Sequence, residues 1–237
     1  MSGSDEETTM DKLILLITSI IVLTSHYVFA QSESVNGLGS YDAGSKIITV
    51  PEVYDNHVVI DGLFSKGEWD DALRFSITDN FDICLKANSG NLYIGLKSTK
   101  PIGVLVSELW ITSNDKDIFH LYTSMALAEG KMCFPTEEYK PSFVVNYSDG
   151  WEASCMKYNR AKHEVWIASG QPKGIENYDV IFDKLDGVEY KISQSKFSGS
   201  RVKMRIVLRE PEESSAYPKD ADLKSARNWV ELILPHS

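Results

Sequence analysis

The sequence predicts an all-β protein, an antiparallel β-sandwich of about ten to twelve strands. Three observations point there. Apolar residues alternate with polar ones over short runs, as in Phe81, Ile83 and Leu85 and again in Leu92, Ile94 and Leu96, which is the period of a strand with one buried face. Turn dipeptides separate such runs: Asp61-Gly62, Ser89-Gly90, Asp149-Gly150, Ser169-Gly170, Asp186-Gly187 and Ser198-Gly199, and regular strands so punctuated mark sandwiches and barrels. Helical readings are confined to one short turn near Trp69 and to residues 219–227.

In chain order, residues 31–45 are rich in Ser, Gly and Asn, lack periodicity and read as a flexible lead-in. Strands are predicted at 46–50, 57–60, 81–87, 91–97, 104–112, 117–123, 142–147, 151–158, 163–168, 188–192, 201–208 and 228–234. Residues 60–72 read I-D-G-L-F-S-K-G-E-W-D-D-A. Ser65 and Glu68 have the spacing of a capping box, in which each side chain satisfies a free backbone N–H. Trp69, Ala72 and Leu73 follow at i, i+3 and i+4, which puts them on one inward face. With no internal repeat and no second linker, a single domain fills residues 46–237.

Leu13–Thr24 is a nearly pure apolar run, followed by Val28-Phe29-Ala30. A run of about 12 residues is short of the roughly 20 that span a bilayer. It fits the core of a signal peptide spanning residues 1–30, with Val28-x-Ala30 as the cleavage site before Gln31. Asp5, Glu6 and Glu7 are the wrong charge for the start of such a leader, and Met10, beside Lys12, is the better start. The expectation is therefore a secreted or periplasmic protein with no stable membrane insertion after the leader is removed.

The full chain carries a net charge of −10. Without residues 1–30 it has 30 acidic and 23 basic residues, a net of −7. That disfavours nucleic acid and anionic membrane as partners, because both need an excess of Lys and Arg. Cys84, Cys133 and Cys155 form no C-x-x-C pair. A Cys133–Cys155 bridge and three free thiols both remain open, since an exported chain permits disulfides and spacing does not fix connectivity.

The pattern I-D-G-x-x-x-x-x-E-W-x-x-A, with Leu92-Tyr93-Ile94-Gly95-Leu96 about twenty residues on, resembles the start of the family 9 carbohydrate-binding modules and the wider DOMON-like group. Val188-Glu189-Tyr190-Lys191-Ile192 followed by Arg201–Leu208 is similar to their late strand pair, and Trp229–Leu234 to their final strand. The resemblance implies a DOMON-like β-sandwich that binds carbohydrate and is not an enzyme. Sugar-binding members clamp a terminal sugar between two Trp rings, the first leading a W-x-x-D-S-V-E-I strand. Here Ser107 and Glu108 match the core of that strand, but Pro101-Ile102-Gly103 stands where the Trp belongs, and Tyr217 stands where the second clamp residue is expected.

The other aromatic candidates for a sugar contact are Trp151, at a strand start after Asp149-Gly150, Trp166, read as facing away from Val165 and Ile167, and Trp110, at the end of a strand beside a polar loop. Asn114, Asp115 and Asp117 offer hard oxygen ligands for calcium, which the family's modules often hold structurally; no cofactor is otherwise required. Some DOMON-like domains are haem-binding cytochromes, and Met125, Met132, Met156, His120 and His163 supply residues of the axial types, so haem binding is the alternative. A small glycan-cleaving enzyme is the second alternative. The pairs Asp70-Asp71, Glu137-Glu138 and Asp115-x-Asp117 do not by themselves make its two-carboxylate cleft. No H-E-x-x-H, G-x-S-x-G, phosphate-loop or G-x-G-x-x-G motif occurs.

Overall fold

The computed structural model describes residues 46–54, 58–133, 138–142, 150–170, 180–210, 214–223 and 226–235. The leader and the lead-in lie outside the described residues. The chain is a β-sandwich of two sheets. The larger contains β1 (Ile47–Thr49), β5 (Val106–Thr112), β6 (Asp117–Thr123), β7 (Leu127–Cys133), β8 (Glu138–Ser142), β11 (Arg201–Arg209), β12 (Ser214–Tyr217) and β13 (Val230–Ile233). Its order is β1-β13-β11-β5-β6-β7-β8, with β12 also paired to β11. The smaller contains β2 (Leu73–Ser76), β3 (Phe81–Ala87), β4 (Asn91–Ile102), β9 (Trp151–Ala153) and β10 (Leu185–Ser193), in the order β2-β3-β4-β10-β9. The β1–β13 pair is parallel and the other strand pairs are antiparallel.

The alternating residues meet between the sheets. Phe81, Ile83 and Leu85 of β3, Leu92, Ile94 and Leu96 of β4, and Val188, Tyr190 and Ile192 of β10 face Leu109, Ile111, Leu121, Met204, Ile206 and Leu208 of the larger sheet in one apolar core. A short polar chain crosses it. The Tyr190 hydroxyl lies 2.7 Å from Ser107 Oγ, which lies 2.6 Å from Thr123 Oγ1. These buried hydroxyls satisfy one another, so the link does not incur the desolvation cost of an unmade hydrogen bond.

The outer face of the smaller sheet is buried as well, under a strap formed by residues 58–72. Phe64 and Trp69 stack at 5.4 Å and 25°, and Trp69 packs on Cys84 and Tyr93. Two glycines make room for these rings. A Cβ at Gly95 would stand 2.8 Å from Phe64 Cε1, and one at Gly187 would stand 2.1 Å from the Leu96 carbonyl oxygen and 3.0 Å from Phe64. Glu68 closes the strap as the capping spacing suggests: its carboxylate accepts from Ser65 N at 2.9 Å and from Val59 N at 2.6 Å. Lys86, 2% exposed along its side chain, donates to the Glu68 carbonyl at 2.6 Å and to Asp71 at 2.8 Å.

Several sequence expectations are corrected. Leu73 is 38% exposed, because the chain leaves the strap at Ala72 for the edge strand β2 and the helical spacing ends there. Residues 163–168 are not a strand but belong to helix α1 (Arg160–Ala168). Asn159 caps it by accepting from Lys162 N at 3.1 Å, and Arg160 and Glu164 pair at i,i+4, which together outweigh the β-like Val-Trp-Ile run. Residues 58–60 form a turn, with Asp61 N on the Val59 carbonyl, rather than a strand. The strand expected at 151–158 ends at Ala153; of the helix expected at 219–227, residues 224–225 lie outside the described residues, 219–223 are not helical, and Ala226–Asn228 is a single 3-10 turn. Of the strand expected at 142–147, all but Ser142 lies outside the described residues. Strands β2, β7, β8 and β12 are additional to those predicted. Cys84, Cys133 and Cys155 form no disulfide.

Candidate ligand-binding face

The outer face of the larger sheet is built by three strands, β5, β6 and β11, whose core-facing positions are mostly apolar and whose outward positions carry most of their charged and aromatic side chains. Register sets the rows. Trp110 of β5 is opposite Arg205 of β11 on one side and His120 of β6 on the other. In the next row Glu108 is opposite Val207 and Tyr122, and Arg209 follows opposite Val106. Directly opposed residues share a face, so Glu108, Trp110, His120, Tyr122, Arg205 and Arg209 converge.

Glu108 is the hub. Arg209 Nε donates to its Oε1 at 2.5 Å, Trp110 Nε1 to its Oε2 at 3.3 Å, and His120 Nε2 stands 3.2 Å from the same Oε2. Burial opposes the Glu108 charge, but the neighbouring His120 and Arg209 outweigh it and hold the carboxyl down at about 2. Glu108 is therefore ionised at any ordinary pH. Burial, followed by the Glu108 charge, pushes the Tyr122 hydroxyl up to about 12, so it stays protonated. The His120 ring lies flat on the Trp110 indole, with centroids 3.8 Å apart and planes 8° apart.

Residues 218–223 and 226–229 roof one end of this face. Ala221, Leu223, Ala226 and Trp229 pack with Trp110, Ile118, Met132 and Val207. The roof is tied down by Trp229 Nε1 on the Asp222 carbonyl at 2.7 Å and by Arg205 Nε on the Ala221 carbonyl at 3.1 Å. Arg209 remains about a third exposed at the open end.

The sequence candidates are dispersed. Trp110 is at this face but 2% exposed, its indole covered by His120. Trp151 is 4% exposed, packs inward on Tyr190 and donates to Glu129 at 2.8 Å. Trp166 is half-buried on α1, stacked on His163 at 5.8 Å. Tyr217 is half-buried on β12, 5.7 Å from Phe75. Asn114, Asp115 and Asp117 do share one turn. There the Asn114 side chain accepts from Lys116 N and Asp117 N, while Asp115 pairs with Lys203 at 2.7 Å and Asp117 with Lys131 at 3.0 Å. Among the described residues no group of three or more His, Cys, Asp or Glu side chains converges to hold a metal. Of the residues weighed for haem, His120 faces Glu108, and His163 Nδ1 lies 2.5 Å from the Tyr158 hydroxyl.

The sequence matches no protein-family model and no curated protein. Among solved structures it is similar to a carbohydrate binding module family 9 (CBM9) from Caldicellulosiruptor kristjanssonii in complex with cellotriose, at 13% identity and a TM-score of 0.44, over 81% of this chain and 94% of that one.

Sequence reasoning reached Glu108 through its strand motif and missed Arg209 and Tyr122. A usable signal was present: Glu108 and Trp110 occupy the same parity of β5, and His120 and Tyr122 the same parity of β6, opposite to the core residues. Arg209 had no such signal, because its place beside Glu108 depends on pairing across 101 residues.

Proposed function

We propose that this protein is an exported, non-catalytic carbohydrate-binding protein whose ligand face is the outer face of the larger sheet. The observation that carries the reading is Glu108, a buried and permanently ionised carboxylate held between Arg209 and His120. Each sugar hydroxyl donates one hydrogen bond and accepts others. A fixed acceptor beside a guanidinium donor and a phenol that does both suits two neighbouring hydroxyls on one ring. The side chains are held by the sheet and by one another before any ligand arrives, which lowers the cost of binding. The ligand class comes from the sequence resemblance, and export from the apolar leader before Gln31. The binding step needs no cofactor. Among the described residues no helix is long and apolar enough to cross a membrane.

Affinity electrophoresis against a panel of soluble polysaccharides tests this, with Arg209→Met and Tyr122→Phe beside the wild type. The wild type is retarded by at least one polysaccharide, and both variants run faster through the same gel; Tyr122→Phe does so with unchanged Tm, whereas Arg209→Met lowers Tm because it leaves the Glu108 carboxylate without its guanidinium. Retardation of wild type and variants alike would move the site elsewhere.

A further inference from the structure

The outer face of the smaller sheet carries a second site of different character. A pocket of about 150 Å³ opens beside the strap, floored by Trp69 and Cys84 and walled by Phe64. Lys66, Arg74 and Lys97 stand around it with one acid, Asp70. That is a local excess of cations in a chain of net charge −10. Arg74 spends Nε and Nη2 on one Asp82 oxygen, at 2.9 and 2.6 Å, which leaves the Nη1 donors of its fork. Lys97 Nζ lies 5.5 Å from the Phe64 ring centroid. Among the described residues neither Lys66 nor Lys97 forms an ion pair. Burial pushes the Cys84 thiol up to about 11, so the floor carries no negative charge.

Size and charge narrow the ligand. Sites for drug-sized molecules begin at roughly 300 Å³, so this pocket admits one charged group and part of a ring. Around the rim three cations face Asp70 and Arg74's partner Asp82, while Glu68, Asp186 and Glu189 turn their carboxylates to N–H donors of the strap behind it, so the rim suits a monoanion better than a phosphate dianion. Phe64 and Trp69, whose faces stack on each other, still line the pocket with apolar surface, which favours a partner with an apolar part over a free ion. We propose that the pocket binds a hexuronate sugar residue, its carboxylate held at the Lys66–Arg74–Lys97 rim and its ring against Phe64. The ring part rests on the carbohydrate reading above; the anion part does not.

The test is a titration of the full chain with glucuronate, glucose and acetate, followed by amide chemical shifts. Glucuronate moves the amides of residues 64–70 and 95–97, glucose does not, and acetate binds at least about tenfold more weakly. Exposed charges are screened within a Debye length, so glucuronate affinity falls when salt is raised. The Lys66→Met/Lys97→Met variant loses glucuronate binding about tenfold with unchanged Tm. No shifts at these amides with glucuronate, equal binding of acetate, or full binding by the double variant would each overturn the proposal. Failure of the carbohydrate reading would appear separately, as loss of neutral-glycan retardation with the glucuronate shifts intact.

Discussion

Trp69 Nε1 donates to Glu189 Oε1 across 2.9 Å and joins stretches 120 residues apart. The other oxygen of the same carboxylate accepts from Gly62 N at 2.9 Å and Asp61 N at 3.1 Å. A carboxylate with no solvent exposure thus finds three donors in the strap, and the strap is fixed to β10 by it. The early I-D-G…E-W pattern and the late Val188–Ile192 strand, far apart in sequence, are the two halves of one packing unit.

Removing the ring should undo that unit. Trp69 is 9% exposed and fills the space above Gly95 and Tyr93. Trp69→Ala is expected to cost about 3–5 kcal/mol in urea unfolding, the range for a buried large aromatic. Trp69→Phe keeps a stacked ring but strips one donor from Glu189, and should cost about 1–3 kcal/mol. A loss below about 1 kcal/mol for the alanine variant would contradict this packing.

Glu189 also sets a pH dependence. Burial, opposed by the Gly62, Trp69 and Asp61 hydrogen bonds, pushes its carboxyl from 4.5 up to about 7. A folded value above the unfolded one gives stability that is complete below the unfolded value and is lost as pH rises through about 7. At 1.36 kcal/mol per decade of proton affinity, unfolding free energy should fall by about 3 kcal/mol between pH ~4.5 and ~7.5. Glu108 acts in the opposite sense, since its stabilisation is lost only as pH falls toward about 2. Glu189→Gln should flatten the neutral slope; an unchanged slope in that variant would rule Glu189 out as its source.

Gly95 is predicted to tolerate no side chain. Its added Cβ would meet Phe64 at 2.8 Å and Trp69 at 3.1 Å, so both rings would have to move. Gly95→Ala should cost about 1–3 kcal/mol, as overpacking does, and should speed hydrogen exchange in residues 58–72. Wild-type exchange there would mean that the rings yield without loosening the strap.

The sandwich was legible because alternation is a local property: the core positions of β3 and β4 follow directly from period two. The candidate site was not legible in the same way. Trp110 and Trp151 look alike in sequence, yet one is covered by a histidine from the next strand and the other turns into the core. Trp110's burial depends on cross-strand register and on the roof of residues 218–223 and 226–229, and Trp151's on its pairing with β10, none of which a local pattern encodes. Trp166 was misread because three β-favouring residues, Val165-Trp166-Ile167, sit inside a helix set by its Asn159 cap.

Export has its own test. The apolar run Leu13–Thr24 and Val28-x-Ala30 predict cleavage before Gln31. Intact mass of the exported protein should correspond to residues 31–237; a species that retains residues 10–30 would indicate an uncleaved anchor.

The carbohydrate reading is tested most directly by mapping amide and side-chain shifts on binding of whichever soluble oligosaccharide the panel selects. The shifts should concentrate on Glu108, His120 and Tyr122 and on the Arg209 side chain, and Tyr122→Phe should weaken them with its Tm unchanged. Saturable binding with shifts centred instead on Trp166 or Tyr217, or no binding to any polysaccharide tried, would contradict the account.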